Sequence, residues 1–185
     1  GTLNKGQTVV CQPGGSTADV VAITVDGEEI PEAKAGDNVQ VRIRTTEDDA
    51  VQQGGILCSV GGLCPVVTEF EAKLNVLACK TILSAGYKCV LHLHNAVVEC
   101  TWVRMVGVVD KKTGKMDSKL PFVRQGQQAV VRVETDSSVC AELYKDLQQM
   151  GRFVMREEGL TVAVGVISQL GIDPVHRPKG VLHGA

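Results

Sequence analysis

The sequence predicts an all-β chain, and three observations carry that reading. Segment after segment alternates apolar and polar residues with a period of two, the period of a strand with one buried face. There are about thirty Val and 20 Gly, with hydrophobic residues at 44% and aromatics at 3%; Val suits a pleated, half-buried surface and Gly punctuates turns. No long amphipathic helix interrupts the pattern, which excludes a doubly wound nucleotide-binding fold.

Along the chain, residues 8–11 and 20–25 read as the first strands. In Val39-Gln40-Val41-Arg42-Ile43-Arg44 the apolar side chains face one side and the polar ones the other. Residues 71–77, 87–94, 129–134 and 161–167 repeat the pattern. The strands are short and broken by Gly, Pro, Asn and Asp, as barrels or sandwiches require. Gly61-Gly62-Leu63-Cys64-Pro65 reads as a linker, placing a first domain at 1–65 and a second at 66–170. Beyond Leu170 the periodicity stops, and 171–185 reads as an irregular C-terminal tail. One window conflicts: Cys140, Leu143, Tyr144 and Leu147 fall at i, i+3, i+4 and i+7, a helical template.

At 185 residues the chain can bury roughly two-thirds of its unfolded surface without a metal or disulfide staple. The net charge is −2 and the pI about 6.1, which argues against a domain built to grip RNA by its phosphates. No run approaches the ~18 apolar residues of a membrane span, and no signal pattern opens the chain. It therefore reads as soluble and cytoplasmic, with no membrane partner. The opening GTLNKGQ lacks a start Met and reads as the interior of a longer protein.

The seven Cys are odd in number and none pairs at C-x-x-C spacing. Most sit among Val and Leu, where a free thiol acts as a small apolar group, and reduced thiols fit the cytosol. Metal and catalytic readings find little support. His92 and His94, two apart on an expected strand, share a face, but no third ligand stands at a matching offset. No Ser or Cys lies in a nucleophile elbow. The only Gly-Lys pair, Gly114-Lys115, has Val109 where a P-loop needs Gly and Met116 where it needs Ser or Thr; VDKKTGKMD reads instead as a β-turn. Glu47-Asp48-Asp49 reads as a solvated acidic loop.

Two features remain. Lys111, Lys112 and Lys115, with Lys119, form a Lys-rich hairpin that could touch ribosomal RNA weakly or simply keep the chain soluble. In residues 151–159, GRFVMREEG, Gly151 permits a tight turn, and Arg152 and Arg156 offer forks for carboxylates. Phe153, Val154 and Met155 lie between them. Phe153 could anchor an interface, since aromatics and Arg dominate hot spots. Equally, it could close a barrel end while Arg152 and Arg156 pair with Glu157 or Glu158.

Taken in order, FEAKLNVL, LSAGYKCVLHLHNAVVEC, VDKKTGK, FVRQGQ and CAELYKD…GRFVMREEG resemble the third domain of translational GTPases of the elongation factor one alpha type. LNKGQTVV, AGDNV and QQGGILC resemble the second domain, so the resemblance covers about 1–170. The paired His, the VDKKTGK turn and FVRQGQ followed by VCAELYKD are similar to the class II release-factor branch. The resemblance implies two consecutive β-barrels, the first incomplete at its N-terminus, and a strand followed by a short irregular segment over 140–150. It implies no enzyme activity or cofactor in this fragment, GTP and Mg belonging to an absent G domain. It also implies a class I release factor, docked through its C-terminal domain, and the ribosome as partners. The contact set would be Tyr144, Gly151, Arg152, Phe153, Val154, Met155, Arg156 and Glu157, with His92 and His94 alongside. The family pattern commonly has Thr, Leu and Asp where Val154, Met155 and Glu157 stand. The rescue GTPase that partners a Pelota-type factor, and the elongation-factor type of aminoacyl-tRNA carrier, are the alternatives.

Overall fold

Phe70, Ala72, Leu74 and Val76 alternate along one strand and are all buried, so the period-two pattern is realised as sheet with one dry face. The computed structural model describes residues 1–46, 51–80, 82–109 and 114–171. It divides into two compact units, Gly1–Cys64 and Pro65–Ala185.

The first unit carries β1 (Thr2–Asn4), β2 (Thr8–Gln12), β3 (Ser16–Val25), β4 (Glu28–Ile30), β5 (Glu32–Lys34), β6 (Gln40–Thr45) and β7 (Ile56–Ser59). β3 pairs with β2, β4 and β6, while β7 pairs with β2. β1 and β5 form a separate ribbon. Among the described residues β6 and β7 do not meet, so this sheet is an open half-barrel. Its core is small: Val9, Cys11, Ala18, Val20, Ile23 and Ala33.

The second unit carries β8 (Val66–Val76), β9 (Leu83–Ser84), β10 (Lys88–Leu93), β11 (Ala96–Val109), β12 (Met116–Asp117), β13 (Phe122–Val123), β14 (Gln128–Cys140), one helical turn α1 (Gln148–Gly151), β15 (Arg152–Glu157) and β16 (Leu160–Gly171). The order β10-β15-β16-β8-β14-β11 closes on itself because β11 also pairs with β10. Every pairing is antiparallel. Closure removes the sheet edges that otherwise invite aggregation. Inside lie Trp102, Phe70, Leu91, Leu93, Met155 and Ile167, all essentially inaccessible. Trp102 packs edge-on against Tyr87 at 5.4 Å and directs its Nε1–H to Met155 Sδ at 3.2 Å.

β11 is the longest strand, and its alternation does not announce it. Its register against β14 shifts between Trp102 and Arg104 and again between Met105 and Gly107. Each bulge resets which side chains face inward. Residues 141–147 follow β14 as irregular chain with a turn over 144–146 before α1, so the helical spacing of Cys140, Leu143, Tyr144 and Leu147 does not produce a helix over that window. Cys140 is the last residue of β14, and Ala141 N–H is drawn to Pro65 O at 3.1 Å. Strand pairing wins over a local period that spans so few residues. The acidic run Glu47-Asp48-Asp49, Lys111, Lys112 and residues 172–185 lie outside the described residues.

Candidate functional site: the outer face of β15

Gly151 ends α1 and starts the block. Its backbone is not left-handed; its need is proximity instead. A Cβ at 151 would lie 2.4 Å from both the backbone N and Cα of Tyr144 and 2.9 Å from Glu142 O. Only a residue without a side chain lets the two segments cross this closely. The crossing is tied by Glu142 N–H to Met150 O at 3.3 Å, while Tyr144 N–H donates to Ile167 O of β16 at 3.2 Å. Burial and the nearby Asp146 carboxylate push Glu142 above the usual carboxylate range.

From Arg152 the chain is a strand rather than a turn, and the strand's period sorts the block into two faces. Phe153 and Met155 point inward and are buried. The Phe153 ring packs on Phe70 at 5.8 Å and fills the space over Gly165, where a Cβ would meet its Cζ at 2.5 Å. An exposed aromatic anchor at Phe153 is therefore corrected: the ring closes the barrel core. The same holds for Met155, against which Trp102 rests.

Arg152, Val154 and Arg156 point outward. Pairing places Val97, His92, Val154 and Val164 side by side across four strands. One step along, Arg152, Val166 and Lys73 line up. Arg156 Nη2 donates to Gly159 O at 2.9 Å. Glu157 accepts from Tyr87 Oη–H at 2.9 Å, and Glu158 pairs with Lys80 at 2.9 Å. The two Arg thus do not pair with Glu157 or Glu158. Among the described residues the Arg152 side chain has neither a hydrogen-bond nor an ion-pair partner.

His92 and His94 do not share a strand face. β10 ends at Leu93, and His94 sits in the turn with φ +43. Its Nε2–H donates to Cys140 O at 2.9 Å, and its Nδ1 accepts Asn95 N–H at 2.8 Å. Both ring nitrogens are committed, so His94 is a turn fastener while His92 stays in the outer row. Among the described residues no three His, Cys, Asp or Glu gather.

Beside the row lies a groove of about 640 Å³ whose lining includes Tyr144, Arg152, Val164, Val166, Lys73 and Met116, and which the largely buried Phe153 also borders. The lining holds two cations and no carboxylate. Sequence reasoning found Tyr144, Arg152 and Phe153 but missed Lys73, Val164, Val166 and Met116. A signal existed for Lys73 and Asn75, which are the outward positions of the alternation in FEAKLNVL. Nothing local marked Met116, which reaches the groove because β12 folds back on Val108 and Val109. Lys115 precedes it at the surface, and Gly114 takes φ +67, while residues 110–113 of the expected turn lie outside the described residues.

Residues 69–168 match the model of the GTP-eEF1A C-terminal domain-like family. The chain is 35% identical to the eukaryotic peptide chain release factor GTP-binding subunit of Debaryomyces hansenii, over 92% of this chain and 24% of that protein. The corresponding subunit of Schizosaccharomyces pombe is also 35% identical, over 92% of this chain and 26% of its own length. The crystal structure of Sup35 complexed with GDP superposes with a TM-score of 0.85 at 35% identity, covering 92% of this chain and 42% of that one. The chain thus spans about a quarter of the length of these curated relatives. With the family model covering more than half of its residues, all in the closed barrel and its outer face, the chain belongs to the GTP-eEF1A C-terminal domain-like family.

Proposed function

We propose that this chain is the partner-presenting part of a translation-termination GTPase. Its two units are then the second and third domains of that GTPase. The outer face of β15 and the adjoining groove dock the C-terminal domain of a class I release factor, which the full-length protein helps bring to the ribosome at stop codons. One observation carries the reading: Arg152 stands exposed, without a partner among the described residues, on the rim of an apolar groove lined by cations and no acid. The yeast relatives, named as release factor GTP-binding subunits, support it.

The mechanism is presentation by a rigid face. A closed barrel holds Arg152, Val154, Val164 and Val166 in fixed positions, so little conformational freedom is lost on docking. Val154, Val164 and Val166 supply apolar area, and the Arg152 fork takes a carboxylate in two parallel hydrogen bonds. Phe153 and Met155 act from beneath, setting the height and tilt of β15. A nucleotide does not fit the residues present: Gly114-Lys115, which leads into β12, has Val109 where a phosphate loop needs Gly and Met116 where it needs Ser or Thr. GTP and Mg are assigned to the G domain of the full-length protein, the only enzymatic part in this reading. Lys115, with Lys111 and Lys112, is assigned at most a weak contact to ribosomal RNA, and the site of action is the cytoplasm.

Calorimetric titration with the C-terminal domain of a class I release factor tests this. Micromolar or tighter binding is expected, weakened about tenfold (~1.4 kcal/mol) or more by Arg152→Ala and by Val154→Asp, with unchanged Trp102 fluorescence. Absence of binding, or binding that neither variant weakens, overturns the assignment. Binding instead to a Pelota-type factor, or salt-dependent binding to tRNA, moves the chain to the rescue or the elongation branch.

A further inference from the structure

Cys89 on β10 and Cys100 on β11 are direct cross-strand partners. Both belong to the core of the closed barrel, and their sulfurs stand 3.5 Å apart. Both thiols are free. Directly opposed residues of an antiparallel pair have Cα atoms about 4.5–5.5 Å apart, within the roughly 4.4–6.8 Å that a disulfide spans. Shortening the contact to a bond of about 2.05 Å moves each sulfur by under ~1 Å, a small side-chain rotation. No other two Cys face each other in the described strand registers: Cys11 stands opposite Leu57, Cys58 opposite Val10, and Cys140 opposite Val66.

Access comes from a break in the barrel wall. β14 follows β11 as far as Thr135, which sits opposite Cys100. It then shifts register before rejoining β8 at Val139. A pocket of about 210 Å³ opens at that point, lined by Cys89, Cys100, Lys88, Thr101 and Asp136 among others. It has room for an oxidant the size of a peroxide, and Cys89 is the more exposed residue of the pair, at 7% against 1% for Cys100.

We propose that Cys89 and Cys100 form a peroxide-oxidisable dithiol that closes to a disulfide inside the barrel and staples β10 to β11. The Cys89 sulfur, as thiolate, attacks one peroxide oxygen. The O–O bond breaks, the departing oxygen leaves as water, and Cys89 becomes a sulfenic acid. The Cys100 sulfur then attacks the Cys89 sulfur. The S–O bond breaks, a second water leaves with the Cys100 proton, and the S–S bond forms. The two sulfurs lose two electrons and the peroxide gains two. The shared S–H···S contact with Cys100, and then burial, push the Cys89 thiol up, so the thiolate is scarce at neutral pH. The pair answers sustained oxidation rather than a brief pulse, and a small dithiol reverses it. Because β10 pairs with β15, the staple stiffens the strand that carries His92 against Val154.

The test is peptide mapping of the chain after incubation with hydrogen peroxide, with free thiols alkylated under denaturing conditions. The expected result is a Cys89–Cys100 linked peptide, lost on treatment with dithiothreitol. The oxidised chain should also melt higher than the reduced one by Trp102 fluorescence. Cys100→Ala, first shown to be folded by the same fluorescence, should show neither effect, and its Cys89 sulfenic acid should be trapped by dimedone. If that variant does not fold, the wild-type map decides alone. Recovery of Cys89 and Cys100 both alkylated under conditions that oxidise the more exposed Cys64 and Cys79, or a Cys89 linked to any other cysteine, overturns the proposal.

Discussion

Replacing Phe153 with Ala separates the two roles folded into one short strand. The ring is 3% exposed, stacked at a tilt on Phe70 and seated over Gly165. Truncating a buried Phe costs about 3–5 kcal/mol through lost transfer energy and the cavity left behind, and the tilted ring pair puts this site near the middle of that range or above. A loss of about 4 kcal/mol is a large share of the roughly 5–15 kcal/mol that holds an ordinary domain together. At about 4–8 °C per kcal/mol for a unit of this size, the melting temperature should fall by about 15–30 °C. The assay is built into the chain. Trp102 is its one Trp and is fully buried in the closed barrel, so its fluorescence in a urea titration reports the unfolding of that unit alone. Arg152→Ala, one position away, should move the same midpoint by less than about 0.5 kcal/mol. A Phe153→Ala change below about 1 kcal/mol would refute the reasoning, because it would mean that the ring does not fill the core. The distinction bears on partner binding too. Weaker docking by Phe153→Ala would not mark Phe153 as a contact, since the face above it would have lost its support.

Two further outcomes follow from the same geometry. Gly151→Ala drives a Cβ to 2.4 Å from backbone atoms of Tyr144, and backbone cannot swing aside as a side chain can; a loss of about 3 kcal/mol or more in the Trp102 urea titration is expected, and a neutral result would show that the crossing is looser than described. Tyr87 is held above the ordinary tyrosine value of 10.0 by burial and by its hydrogen bond to Glu157. A pKa raised by folding contributes stability that is fully present below the unfolded value and is lost as pH rises through the folded one. The barrel should therefore lose stability on the alkaline side of pH 10, and tyrosinate absorbance should show a late step that Tyr87→Phe removes; a wild type with no late step that Tyr87→Phe removes would contradict this.

How much of this was legible in the sequence depends on whether a residue's role is set by its neighbours in the chain or by neighbours in space. The alternations at 39–44 and 71–77 appear as β6 and β8 because the period of two belongs to one strand. β11 was hidden because two bulges, fixed by its pairing to β14, break its period. Gly151 drew notice as a turn, yet its requirement comes from Tyr144 crossing it, a contact no local pattern encodes. The apolar-polar rhythm of 87–94 puts His94 on a strand because it runs one residue past the point where the hairpin turns. Lys73 and Val166 join Arg152 only through registers linking β8, β16 and β15.

The block 152–157 shows why residue type alone misassigns such a site. Arg and aromatic residues both mark interfaces, so Arg152-Phe153 reads naturally as a single contact patch. On a strand the two side chains leave opposite faces of the sheet, and a closed barrel has one face dry. One of the pair must therefore serve the core, and the cost of burying a guanidinium without a partner decides which. Phe153 goes in and Arg152 stays out, with Val154 outward and Met155 inward by the same rule. Any partner then meets Arg152, Val154 and Arg156 rather than the contiguous motif, and a substitution series across the block should alternate in character. Changes at 152, 154 and 156 should weaken docking while leaving the fold intact. Changes at 153 and 155 should lower stability first. If partner affinity followed sequence proximity instead, with Phe153 and Arg152 variants losing docking equally in fully folded protein, the face assigned to β15 would be the wrong one.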